Sequence, residues 1–92
     1  MKRFVIERDI PGIGGMSRLQ HKDIAAASNA ALARLGGKVQ WLHSYVAADK
    51  TFCVYLAEHE ELVREHACLS GFPVTRITEA DAVLEPMSPN VG

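Results

Sequence analysis

The sequence has almost no net charge, only two cysteines and no long hydrophobic run, and each of these shortages excludes a class of protein. Ten basic and eleven acidic residues give a formal net charge of −1, which does not favour binding to nucleic acid or to an anionic membrane. No apolar stretch approaches the ~20 residues that span a bilayer, and charged residues at positions 7–9 argue against a signal peptide. Two separated cysteines do not make a disulfide framework. The sequence therefore predicts a reduced, cytoplasmic protein.

The pattern of apolar residues predicts one globular domain over residues 1–85, followed by a flexible C-terminal tail at 86–92. A strand over residues 2–8 precedes a helix that begins at a Ser17–Gln20 capping box and runs to about Leu35. A β-hairpin follows, then a second helix from about Glu58 to Gly71 and a strand from Val74 to Leu84. The order β-α-β-β-α-β predicts an α+β, ferredoxin-like fold. In that fold, two helices cover one face of a four-stranded antiparallel sheet.

The hairpin consists of two apolar runs separated by a predicted three-residue loop, Ala48-Asp49-Lys50. Side chains alternate across each strand, so this register separates the hairpin into two faces. The apolar face, which we expect beneath the helices with Phe4 and Ile6, consists of Leu42, Val46, Phe52, Val54 and Leu56, with Ser44 as its only polar member. The opposite, aromatic face consists of Trp41, His43, Tyr45, Cys53, Tyr55 and Ala57.

The aromatic face predicts a partner. A contiguous apolar and aromatic sheet surface is uncommon on a monomer and usually marks an interface. We therefore expect a homodimer through the sheet face, with Trp41, Tyr45 and Tyr55 in the contact, because two-fold pairing is the commonest oligomer. The two sheets could pack face to face, or pair edge to edge with the face partly covered.

Imidazole, thiolate and carboxylate groups on or near this face suggest a transition-metal site. The candidate ligands are Glu7, His43, Cys53 and His66. The alternative is that Cys53 is a packed core residue and His43 an interface hydrogen-bonding group. His66 lies on the buried side of the second helix, so it joins His43 and Cys53 only if the odd-numbered hairpin positions face the helices.

Two further hypotheses remain open. One is a small-molecule-binding module or enzyme with a pocket between helices and sheet, lined by Tyr45, Tyr55 and His66; no catalytic residue is assigned. The other is an interaction module whose aromatic face serves association alone. The glycine-rich segment 12–15 does not match the dinucleotide fingerprint, because Ser17 stands where the third glycine is required. We interpret it as a flexible loop.

Several segments resemble a family of small bacterial proteins of largely unknown function. They are Phe4–Gly12, Trp41–Val46, Cys53–Tyr55, Arg64–Ala67 and Gly71–Pro73. Described relatives in this family are nickel-binding proteins of ferredoxin-like fold that form dimers. The resemblance implies the same fold, a dimer and a bound nickel or other transition-metal ion, and Glu7, His43, Cys53 and His66 fall within or beside the matching segments.

Overall fold

Four strands and two helices form in the order that the sequence predicts. The computed structural model describes residues 1–86. Its elements are β1 (Lys2–Asp9), a 3-10 turn (Ile13–Gly15), α1 (Arg18–Arg34), β2 (Val39–Val46), β3 (Lys50–Ala57), α2 (Glu60–Ser70) and β4 (Arg76–Ala80). The predicted tail lies outside the described residues from position 87 onward. No helix in residues 1–86 has both the length and the apolar character needed to cross a membrane.

The strands form one antiparallel sheet in the order β2-β3-β1-β4. The two helices pack on one of its faces, so the chain has the predicted ferredoxin-like α+β fold, with β1 and β3 at the centre. β4 is shorter than predicted, because it pairs only with the part of β1 between Arg3 and Glu7.

Local sequence signals set the helix ends. The Ser17 hydroxyl accepts a hydrogen bond from the Gln20 backbone N–H at 3.1 Å, and the Gln20 side-chain oxygen accepts one from the Ser17 N–H at 2.9 Å. This reciprocal pair is the predicted capping box. α2 ends at Gly71, whose φ of 78° lies in the left-handed region that glycine adopts without steric cost.

The hydrophobic core lies between the helices and one face of the sheet. Phe4 and Ile6 of β1 are almost fully buried there, as the alternation in β1 predicts. The remaining core residues are Leu35, Val39, Cys53, Tyr55, Ala57 and Val63.

The predicted assignment of faces on β3 is wrong. Cys53 pairs with Ile6 and Tyr55 with Phe4, and directly opposed residues share a face. The odd-numbered side chains of β3 therefore lie beneath the helices. Phe52, Val54 and Leu56 lie on the opposite side of the sheet. The hairpin loop also differs from the prediction, because it has two residues rather than three: the Ala47 N–H donates to the Lys50 carbonyl at 2.9 Å, and Val46 pairs with Thr51.

A β-bulge at Leu42 changes the alternation within β2. Trp41 pairs with Tyr55, whereas His43 pairs with Val54. Because one extra residue reverses the side chains beyond it, Trp41 lies beneath the helices while His43 and Tyr45 lie on the other side. We call the sheet surface opposite the helices the open face; its hairpin and β1 members are Arg3, Val5, Glu7, Asp9, Gln40, His43, Tyr45, Lys50, Phe52, Val54 and Leu56.

Candidate functional site

A pocket of about 200 Å³ lies between α1 and the end of the sheet nearest the β2–β3 turn. Its lining is mainly apolar and comes from five segments of the chain, namely β1, the loop after it, α1, the hairpin and the residues after α2. The lining residues are Arg8, Ile10, Ile13, His21, Ile24, Ala25, Ser28, Trp41, Ser44, Val46, Thr51, Cys53, Tyr55 and Phe72. A half-enclosed apolar cavity with a few polar groups is the usual form of a small-molecule site.

The loop after β1 forms one wall of the pocket and is held against the hairpin turn. The Gly14 N–H donates to the Ala48 carbonyl, and the Ile10 N–H donates to the Asp49 carbonyl, each at 2.9 Å. The Gly12 N–H donates to the Asp49 carboxylate at 2.9 Å. A β-carbon at Gly14 would lie 2.6 Å from the Ala47 carbonyl oxygen. The segment interpreted from sequence as a flexible loop is therefore anchored to the turn, and it places Ile13 in the pocket.

Arg8 is the most unusual residue of the site. It follows Phe4 and Ile6 on the helix-facing side of β1 and is only 1% exposed. Its Nη1 donates to the Pro73 carbonyl at 2.8 Å, but its Nε and Nη2 have no hydrogen-bond partner among the described residues. The guanidinium lies over the rings of Phe72, at 5.6 Å, and Tyr55, at 6.0 Å. Among the ion pairs of residues 1–86, none involves Arg8.

Tyr55 and His66 are also buried and close together, with ring centroids 4.9 Å apart. Burial raises the pKa of the Tyr55 hydroxyl, with a smaller contribution from Cys53, while the charge on Arg8 and polar contacts with the Ser28 and Arg8 side chains oppose the rise. Burial lowers the pKa of His66, Arg8 acts in the same direction, and the hydrogen bond with the Ser28 backbone opposes them. Both side chains are therefore neutral at neutral pH.

The hydrogen bonds of His66 define its tautomer. Its Nε2 lies 3.3 Å from the Ser28 carbonyl oxygen and 3.2 Å from the Ser28 hydroxyl. A carbonyl only accepts, so Nε2 carries the proton. The other ring nitrogen, Nδ1, is buried without a partner in the described part of the chain.

Two further polar side chains line the pocket from β3. Thr51 is buried, and its hydroxyl lies 3.5 Å from the Cys53 sulfur. Cys53 is likewise buried as a free thiol. Together with Tyr55, these groups give the sheet side of the pocket a row of hydroxyl and thiol groups at positions 51, 53 and 55.

The four predicted metal ligands do not come together. Cys53 and His66 lie beneath the helices, whereas His43 and Glu7 lie on the open face. The His43 ring packs edge-to-face on Tyr45 at 5.1 Å, and the Glu7 carboxylate lies 3.9 Å from both the Lys50 and the Arg76 side-chain nitrogens. Within residues 1–86, no group of three or more His, Cys, Asp or Glu side chains is arranged to hold a metal ion.

The predicted aromatic pair, Tyr45 and Tyr55, is also divided. Tyr55 lines the pocket, as the small-molecule hypothesis expects, but Tyr45 is on the open face and 62% exposed. Placing Trp41 and Tyr55 on an outer surface was wrong: Tyr55 is 1% exposed, and the Trp41 indole N–H donates to the Ser44 hydroxyl at 2.9 Å within the pocket wall.

Sequence reasoning missed Arg8, Ser28 and Thr51 as residues of the site. One signal was available for Arg8. It stands in phase with Phe4 and Ile6 on a strand whose even-numbered positions are predicted to be buried. A charged residue in phase with core positions is a candidate for function, because an unpaired buried charge is costly.

Comparisons with known proteins identify the family. The chain resembles the crystal structure of SCO4226 from Streptomyces coelicolor A3(2), with a TM-score of 0.74 and 15% sequence identity over 89% of this chain and 99% of that chain. At this identity the likeness supports the fold alone. No curated protein sequence matches the chain. The sequence model described as "Nickel responsive protein SCO4226-like" matches residues 4–80. Since this match spans most of the chain, the protein belongs to the SCO4226-like family of nickel-responsive proteins, as its sequence resemblances predict.

Proposed function

We propose that this protein is a binding protein for a small organic molecule, which it holds in the pocket between α1 and the sheet. The pocket itself, about 200 Å³ in a chain of 92 residues, is the observation that carries the proposal. Protein interiors normally contain few voids larger than a water molecule. An apolar cavity of about 150 Å³ is sufficient to bind benzene, so the expected ligand is about the size of a substituted single ring.

Hydrogen bonds hold the walls of the pocket in place, which favours a binding site over a packing defect. The loop with Gly14 is tied to the hairpin turn by backbone hydrogen bonds, so the wall that carries Ile13 is fixed. On the opposite side, the Trp41–Ser44 hydrogen bond holds the indole ring in place. A preorganised pocket loses little conformational entropy when a ligand enters.

The proposal is tested by titrating the protein with benzyl alcohol, benzamide and benzoate. The readouts are calorimetry and the indole N–H resonance of Trp41, which is the only tryptophan in the chain. We expect saturable binding by at least one probe and a shift of the Trp41 signal. Ala25→Phe fills the pocket from α1 and should abolish binding. Ala26→Phe, on the exposed side of the same helix, should leave it unchanged. Failure of all three probes to saturate the wild-type protein would contradict the proposal.

A second candidate function is binding of nickel or another transition-metal ion by a homodimer. Membership of a nickel-responsive family supports it. The residues described within one chain do not fit a complete site, and positions 87–92 contain no His, Cys, Asp or Glu. A nickel site would therefore need ligands from two copies. We propose His43 as the first ligand, with Glu7 as the candidate carboxylate, because both lie on the open face.

The open face also supports the homodimer, with different residues from those predicted. Val5, Phe52 and Leu56, each partly exposed, surround the nearly buried Val54 and form a contiguous apolar surface across two strands. Tyr45 remains a contact candidate, whereas Trp41 and Tyr55 do not. Exposed apolar patches commonly mark interfaces, and two copies that pack these surfaces together would remove the apolar side chains from water. A cytoplasmic location stays a prediction from composition.

Nickel binding and dimerisation are tested together by calorimetry with Ni²⁺ and by molar mass in solution. We expect a dimer that binds the ion, with His43→Ala weakening the metal affinity. His59→Ala is the matched control, because His59 is an exposed histidine on the other side of the molecule that pairs with Glu61. Phe52→Asp should give monomers that no longer bind nickel. A monomeric wild-type protein that produces no heat with Ni²⁺ contradicts this second candidate.

A further inference from the structure

We propose that the pocket is specific for a ligand that carries a carboxylate on a small apolar body, and that Arg8 binds the carboxylate. This inference rests on the proposed small-molecule function and adds the chemical class of the ligand. It does not depend on nickel binding.

The first support is the incomplete set of partners around Arg8. The residue is 1% exposed, yet only Nη1 has a hydrogen-bond acceptor, the Pro73 carbonyl. Arginine remains charged inside proteins. A buried cation is ordinarily paired with an anion or fully hydrogen-bonded, and the described residues supply neither arrangement for Nε and Nη2.

The second support is the identity of the two unpartnered nitrogens. Nε–H and one N–H of Nη2 point in the same direction from one edge of the planar guanidinium. That edge matches the two oxygens of a carboxylate and binds them through two parallel hydrogen bonds. Nη1, which is used by Pro73, lies at the opposite side. The contact with Pro73 therefore leaves this buried edge without a partner among the described residues.

The third support is the charge of the whole lining. None of the residues that line the pocket, all of which belong to the described part of the chain, is Asp or Glu. The Tyr55 hydroxyl does not neutralise Arg8, because burial raises its pKa. A positive charge without a counter-ion inside a pocket of low polarity attracts an anion more strongly than a surface charge does.

The remaining lining restricts the anion to a small carboxylate. Ile13, Ile24 and Phe72 provide apolar surface for the body of the ligand, and the Thr51 and Tyr55 hydroxyls are further polar contacts. A phosphate monoester carries more charge than one arginine balances, so we commit to a monocarboxylate and use phenyl phosphate as a comparison.

The test compares benzoate with benzyl alcohol and benzamide, which have the same ring and no charge, and with phenyl phosphate. Wild-type protein is expected to bind benzoate at least about 10-fold more tightly than either neutral probe, the usual difference for a hydrogen bond to a charged group. Arg8→Met should remove the preference, so that benzoate and benzyl alcohol bind the variant with similar affinities. Arg8→Lys should retain part of the preference.

The outcomes separate this inference from the function on which it rests. Equal affinities for benzoate and benzamide in the wild-type protein overturn the carboxylate assignment but leave small-molecule binding intact. Failure of every probe overturns both. Tighter binding of phenyl phosphate than of benzoate overturns the choice of a monocarboxylate. These wild-type comparisons stand even where Arg8→Met does not fold, and Arg64→Met, a surface substitution on α2, controls for the loss of one positive charge.

Discussion

Substitution of Gly14 by alanine tests whether the loop after β1 is a fixed wall of the pocket. A β-carbon there would lie 2.6 Å from the Ala47 carbonyl oxygen and 2.8 Å from the Ala48 α-carbon. Both are backbone atoms, which have no rotamer to change, so the loop and the turn must separate. Overpacking of this kind costs about 1–3 kcal/mol. Separation also strains the 2.9 Å hydrogen bond from the Gly14 N–H to Ala48.

Gly15 provides the matched control, since no atom lies within 4 Å of a β-carbon at that position and its φ is not in the left-handed region. Gly15→Ala should be neutral or stabilise the protein by about 0.4–1 kcal/mol through the unfolded chain. A loss of about 2 kcal/mol lowers the melting temperature of a domain of this size by about 8–16 °C. Thermal unfolding followed by circular dichroism measures both variants, and equal melting temperatures would refute the anchored-loop argument.

Three further predictions concern buried and capping residues. The free energy of unfolding should fall as the pH drops below about 6.5, because His66 has a lowered pKa in the folded state and the unfolded chain takes up the proton first. Urea titrations at several pH values measure this dependence, which should be weaker in His66→Gln. Without ligand, Arg8→Met should be at least as stable as wild type in urea, since a buried charge without a counter-ion is costly to the folded state, and a loss of more than about 1 kcal/mol would contradict this. Ser17→Ala should cost about 1 kcal/mol through loss of the α1 cap, measured by thermal unfolding, with Ser70→Ala as a comparison outside any N-cap.

The parts of the fold that follow from local signals could be predicted from the sequence. The Ser17–Gln20 capping box and the left-handed glycine at Gly71 are residue-specific devices, so they placed the helix ends within a few positions. β1 has apolar residues in phase at Phe4 and Ile6, which identified its buried side. Strand order then followed from the handedness of the two crossovers.

The orientation of the hairpin could not be predicted, because β3 is apolar on both sides. Cys53 and Tyr55 are as suitable for a core as Phe52 and Val54, and Val54 is 9% exposed on the open face. The periodicity of apolar residues therefore did not show which side of β3 faces the helices, and the prediction depended on the assumed loop length. The Ala48-Asp49 turn contains no glycine, proline or asparagine that would mark a turn type, and nothing in the sequence signals the bulge at Leu42.

The hairpin turn and the bulge together determine how the candidate functions divide between the two sides of the sheet. The two-residue turn pairs His43 with Val54 and Ser44 with Cys53, so the sheet separates the His43 imidazole from the Cys53 thiol, and the single-pocket arrangement that sequence reasoning left open does not form. The bulge then returns Trp41 to the helix-facing side, where it lines the pocket. In our proposal, a metal held through His43 uses ligands from a second copy, whereas a ligand in the pocket contacts only one. Since the two sites share no side chain, His43→Ala should leave benzoate binding unchanged and Arg8→Met should leave nickel binding unchanged. Coupled losses in either variant would mean that the sheet does not isolate the two sites.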